Sequence, residues 1–160
     1  MRPFILVAIV LTVLLGCSRP SPTPHGKWTL DKKASRVALI ELYNTNPRAK
    51  AAFDELAVEP GETPVDALLS AISSDYDIAE DQTYSHTFKV TRDIPPHLKM
   101  TELQQTGVWK WKAPELTLQP TTQNGATFGG PPEKSLVTSD SVVDTITYMF
   151  FGATLFLRRA

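Results

Sequence analysis

Apolar positions follow three different patterns along the chain. Residues 4–15 are almost wholly apolar. Between 34 and 74 the apolar positions recur every three or four residues, the period of a helix with one buried face. The stretch 34–43 carries Val37, Leu39, Ile40 and Tyr43 and has no proline. Asn46-Pro47 predicts a helix start, with Asn as N-cap and Pro at the first helical position. Ala49, Ala52, Phe53, Leu56 and Ala57 then form one stripe, which Pro60-Gly61 ends. Thr63-Pro64-Val65-Asp66 predicts a further start, with an acid in the first turn, and Val65, Leu68, Leu69 and Ile72 as its apolar face.

From residue 84 the period is two. Tyr84, His86, Phe88 and Val90 alternate with Ser85, Thr87, Lys89 and Thr91, as in a half-buried strand. Trp28 and Leu30 give 27–31 the same alternation at the start of the domain. Pro95-Pro96 marks a loop. Strands are predicted at 101–112, with Trp109 and Trp111 on one face, and at 115–119, with Leu116 and Leu118. The Gly-, Pro- and Thr-rich stretch 119–134 is expected to be a long loop. Strands at 144–151 and 154–159 close the chain, with Gly152-Ala153 as a two-residue turn. Tyr148-Met149-Phe150-Phe151 is apolar on both faces, so its second face must also be covered. Helices grouped early and strands grouped late predict an α+β fold: an antiparallel meander or half-barrel with an N-terminal helical insertion.

The first apolar run fits an exported leader. Arg2 is a minimal positive n-region, and a run of twelve residues would span about 18 Å as a helix, short of the roughly 30 Å hydrocarbon core. Leu14-Leu15-Gly16-Cys17 resembles the lipobox of bacterial lipoproteins. The resemblance implies cleavage after Gly16 and acylation of Cys17. Acyl chains contribute about 0.8 kcal/mol per buried CH₂, enough to hold a domain on a membrane. Ser18 after the cysteine implies the outer membrane, facing the periplasm. Residues 1–16 are then signal peptide, 17–26 a lipidated cysteine with a proline-rich tether, and 27–160 one domain. The nine residues 18–26 include three prolines and reach roughly 28 Å in a polyproline II conformation.

Composition narrows the class. A net charge of -1 excludes a polybasic nucleic-acid binder. A single cysteine excludes an intramolecular disulfide framework. At 42% hydrophobic, the chain can fill a modest core. Gly26-Lys27-Trp28, Gly107-Val108-Trp109 and the closing Ala153-Thr154-Leu155-Phe156-Leu157 resemble the small lipocalin-like domains of bacterial lipoproteins, which use two G-x-W motifs and a leucine strand. The resemblance covers most of residues 26–160. The helical segment at 34–74 is an addition to a plain barrel.

No residue pattern points to catalysis. His25, His86 and His97 form no H-x₃-H pair, and His86 shares a face with Tyr84 and Phe88, as a barrel-wall or rim histidine would. Asp75, Asp77, Glu80 and Asp81 lack the calcium-loop spacing and fit a solvated helix end leading into a strand. The glycines at 125–130 precede Pro131, where a phosphate loop requires lysine. Ser70, Ser73 and Ser74 fall on or after the last helix, with no G-x-S-x-G elbow. The expectation is a non-catalytic envelope domain with no cofactor and no metal. Trp109, Trp111, Tyr148, Phe150 and Phe151 are the candidate residues for recognising an apolar small molecule or an envelope protein. The alternatives are a structural or interaction lipoprotein with a filled core, and a hydrolase with a scattered site.

Overall fold

The computed structural model describes residues 23–56, 58–91, 102–138, 141–146 and 153–160. The leader, Cys17, His97, Tyr148, Phe150, Phe151 and Gly152 lie outside the described residues.

The fold is mixed α+β: three helices and a curled antiparallel sheet. Strand β1 spans Gly26–Leu30 and is followed by helices α1 (Lys32–Thr45), α2 (Pro47–Asp54) and α3 (Pro64–Ala71). Strands β2 (Ile72–Ile78), β3 (Thr83–Val90), β4 (Glu102–Lys112) and β5 (Glu115–Gln123) form a meander. The short β6 (Ala126–Thr127), then β7 (Glu133–Val137), β8 (Ser141–Ile146) and β9 (Ala153–Arg159) complete the sheet. β7 pairs with β5, β8 with β7, β9 with β8, and β1 with both β9 and β2. The β4–β5 pairing joins the two arms, so the sheet curls back onto itself and each long strand has a neighbour on either side. Curling of this kind removes the exposed edges that invite aggregation.

Local chemistry sets the helix starts. Asp31 caps α1, its side chain accepting from Ala34 N. Asn46 caps α2, accepting from Arg48 N and Ala49 N, with Pro47 at the first helical position. Thr63 caps α3: its hydroxyl accepts from Asp66 N at 3.2 Å and donates to Asp66 Oδ2 at 2.6 Å. The same carboxylate accepts from the Arg36 guanidinium of α1 at 2.6 and 3.1 Å. These hydrogen bonds, Arg36 first and Thr63 second, hold the Asp66 carboxyl down at about 2. Between α1 and α2, Tyr43 and Lys50 both donate to Asp54, and Tyr43 stacks on Phe53.

The helices pack at one end of the curled sheet. They are strung between the last residue of β1 and the first of β2, and these lie at the same end. Leu39, Phe53, Val65, Leu68 and Leu69 join one continuous core with Trp28, Tyr76, Phe88, Leu116, Leu118, Leu155 and Leu157 from the strands. Ala71, the last residue of α3, is tied to the end of β3, its carbonyl accepting from Thr91 N and Thr91 Oγ1. The opposite end carries the β2–β3, β4–β5 and β7–β8 connections, the start of β1 and the end of β9. We call these the helical end and the turn end.

Three expectations need correction. The helical period does not run through 72–74: Ile72–Ile78 is a strand, with Ile72, Ser74, Tyr76 and Ile78 inward and Asp75 and Asp77 outward. Ile72 completes the apolar face of α3 in sequence, but pairing with β1 and β3 outweighs one more helical turn. The segment 119–134 is not one long loop, since β5 continues to Gln123, Asn124-Gly125 reverses the chain, and β7 begins at Glu133. Asn124 and Gly125 both have positive φ, which a type I′ turn requires and this dipeptide favours. Gly152-Ala153 is not the last turn. Ala153 sits in β9, opposite Ile146 of β8, and so belongs to a strand.

Candidate functional site

The inner face of the sheet is built by strict alternation, so its chemistry can be followed strand by strand. Towards the turn end it is apolar. Trp28, Tyr76, Ile78, Leu116, Leu118, Ser135 and Leu157 converge, and the space between them has a cavity volume of about 0 Å³. Side chains fill this part of the interior. Ser135 Oγ is buried here with no hydrogen-bond partner among the described residues.

A polar row crosses the same face. Tyr76 of β2 is in register with His86 of β3, His86 with Gln105 of β4, and Gln105 with Gln123 of β5. His86 is 6% exposed and Gln105 7%. The His86 ring stacks on Tyr76 with centroids 3.9 Å apart, and its Nε2 lies 3.0 Å from Ser74 Oγ. The fold thus joins a serine and a histidine that are twelve positions apart in sequence. Both are buried, Ser74 to 1% exposure, so this hydroxyl–imidazole contact packs into the interior.

Trp109 and Trp111 project from β4 on the inward side, opposite Leu118 and Leu116 of β5. Both rings are half-buried against the core. They share a face, as their spacing predicts. Trp109 also secures the β2–β3 turn: its Nε1 donates to Ala79 O at 2.8 Å and its backbone N to Gln82 O at 2.8 Å. Both rings lie towards the turn end. Tyr148, Phe150 and Phe151, the other aromatic candidates, lie outside the described residues.

The second G-x-W motif has a packing cause. A Cβ on Gly107 would lie 2.2 Å from Gln119 O and 2.7 Å from Tyr84 Cε1. Only glycine lets β4 approach β5 here and leaves room for the Tyr84 ring, beside the register shift at Thr106/Gly107.

At the start of β1 the arrangement is equally specific. The Arg159 guanidinium lies over the Trp28 ring, 4.7 Å from its centroid. Its Nη1 donates to His25 O at 2.8 Å, and Nη2 donates to Thr23 O. Trp28 Nε1 donates to Pro24 O at 2.8 Å. His25 Nε2 lies 3.9 Å from Glu80 Oε1. Nothing in the sequence around Arg159 marks its partners, which lie more than 130 positions away.

The acidic group 75–81 is dispersed among local partners. Asp75 accepts from Thr29, Asp77 lies 4.0 Å from Lys27, and Asp81 accepts from Thr83 N and Oγ1 in the β2–β3 turn. The Thr83 hydroxyl, then its N–H, lower the Asp81 carboxyl. Among the described residues no three His, Cys, Asp or Glu side chains are grouped to hold a metal ion. No helix among them is long and apolar enough to cross a membrane.

No protein-family model and no curated protein matches the chain.

Proposed function

We propose that the protein is a lipid-anchored lipoprotein of the cell envelope whose domain, 27–160, recognises a protein partner without catalysing a reaction. In this reading residues 1–16 are removed, Cys17 is acylated, and the domain is a lipocalin-like barrel with a helical insertion between its first two strands. The membrane is the outer membrane, and the domain faces the periplasm.

One observation favours a protein partner over an enclosed apolar ligand: among the described residues, the space between Trp28, Tyr76, Leu116 and Leu157 has a cavity volume of about 0 Å³. A ligand pocket of ordinary size needs roughly 300 Å³ or more. The barrel likeness rests on the curled antiparallel sheet and on the packing of Gly26-Lys27-Trp28 and Gly107-Val108-Trp109 against it. The non-catalytic reading rests on burial of the Ser74–His86 contact.

Two measurements test this. Palmitate labelling in a bacterial host should mark the wild type and spare Cys17→Ala; equal labelling ends the anchor reading. A delipidated chain, residues 18–160, titrated with fatty acids and phospholipids should show no saturable change in tryptophan fluorescence, while crosslinking in the intact envelope yields a defined heteromeric product. Saturable fatty-acid binding instead assigns the domain to an apolar ligand.

A further inference from the structure

We propose that Arg159 and Trp28 clamp the N-terminal segment to the turn end, so that this end stands against the lipid headgroups and α1–α3 face away from the membrane. The inference deepens the anchor reading above and rests on it. The topology supplies the first reason. β1 starts at the turn end, so any tether leaving its N-terminus leaves from there, while the helices lie at the other end of the strands.

The clamp supplies the second. Three consecutive residues ahead of β1 are held by the barrel: Thr23 and His25 through their carbonyls by Arg159, and Pro24 through its carbonyl by the Trp28 indole. Arginine suits this task because its planar fork can donate to two acceptors while its face lies on an aromatic ring. Ala160 N donates to Lys27 O at 3.0 Å, fixing the strand that carries the fork. Gly26 has φ +126°, and a Cβ there would lie 2.8 Å from Arg159 Nη1. Glycine therefore both turns the chain into β1 and leaves space for the guanidinium.

The clamp shortens the tether. With Thr23 fixed, six steps separate it from Cys17, about 19 Å at 3.1 Å per residue. Releasing 23–25 would add about 9 Å of slack. A strand of eight residues such as β3 is about 26 Å long, so a tether of about 19 Å leaving the turn end holds that end nearer the bilayer than the helical end.

All three tryptophans of the chain support the measurement. Trp28 lies in the clamp, and Trp109 and Trp111 lie at the turn end. The mature chain is coupled through the Cys17 thiol to a maleimide lipid in phosphatidylcholine vesicles containing a dansyl-headgroup lipid. Chemical coupling makes attachment independent of acylation in the cell, which palmitate labelling tests separately. Tryptophan-to-dansyl energy transfer should be efficient for the wild type and lower for Arg159→Ala and Arg159→Lys. Exchange of the Trp28 indole N–H, which donates to Pro24 O, should rise at least tenfold in both variants. Circular dichroism establishes that a variant is folded, and Arg159→Lys keeps the aliphatic stem and charge if Arg159→Ala unfolds. Transfer no greater than from uncoupled protein overturns the orientation. Unchanged transfer and exchange in the folded variants overturn the clamp.

Discussion

Ser35 of α1 binds both backbone polar groups of Phe156 in β9: its hydroxyl accepts from Phe156 N at 2.9 Å and lies 3.3 Å from Phe156 O. β1 stops pairing with β9 at Leu30, and Asp31 N donates to Phe156 O at 2.7 Å. The fully buried Ser35 side chain continues the ladder where the strand has become helix. One hydroxyl thereby joins the helical layer to the sheet.

Replacing Ser35 by Ala leaves the Phe156 amide without this partner in a buried seam. The cost should be about 1–3 kcal/mol, the penalty for a buried donor left unsatisfied. Ser70→Ala, whose hydroxyl bonds Glu62 near the surface, should stay within about 0.5 kcal/mol. Urea denaturation of both variants measures the difference. Equal midpoints would show that the Ser35 contact carries no stability.

Leu69 of α3 is 4% exposed and belongs to the core shared by helices and strands. Leu69→Ala should destabilise the domain by about 2–5 kcal/mol, transfer and cavity terms together. A thermal melt reads this directly. An unchanged Tm would mean that the helical layer is peripheral to the cooperative unit.

Gly107 and Gly129 should respond differently to alanine. At Gly107 the new methyl meets backbone at 2.2 Å and must force β4 and β5 apart, whereas at Gly129 nothing lies within 4 Å. Gly107→Ala should cost about 1–3 kcal/mol or more, as overpacking does, and Gly129→Ala should be nearly neutral. Comparable chevron plots for the two variants would remove the packing explanation of the second G-x-W motif.

The Arg36–Asp66 pair predicts a particular acid dependence. The folded Asp66 carboxyl titrates at about 2, below the ordinary aspartate value near 3.9. A depressed folded value stabilises the native state above the unfolded pKa and loses that contribution as pH falls through the folded one. The effect of Asp66→Asn on stability should therefore be constant above about pH 5 and shrink between about pH 4 and 2. Both partners are partly exposed, at 45% and 35%, so the effect should be small and weaken with salt. A variant difference independent of pH over this range would refute the pairing.

Sequence alone determined what neighbouring residues decide. The starts of α2 and α3 followed from Asn46-Pro47 and Thr63-Pro64, because a cap satisfies amides two or three residues away. The shared face of Trp109 and Trp111 and the span of β3 followed from period-two alternation, which depends only on the backbone's pleat. Tertiary structure decided everything that depends on distant pairing. Ile72–Ile78 is ambiguous alone, because Ile72 extends the α3 stripe and Ser74 puts a hydroxyl at an inward position; hydrogen bonding to β1 and β3 makes it a strand. The Asn124-Gly125 turn was locally legible but masked by the proline- and glycine-rich residues around it. The Ser74–His86 contact and the Arg159 fork over Trp28 were not legible at all. Their geometry exists only once the sheet has curled, and no local preference of either residue encodes the other's position.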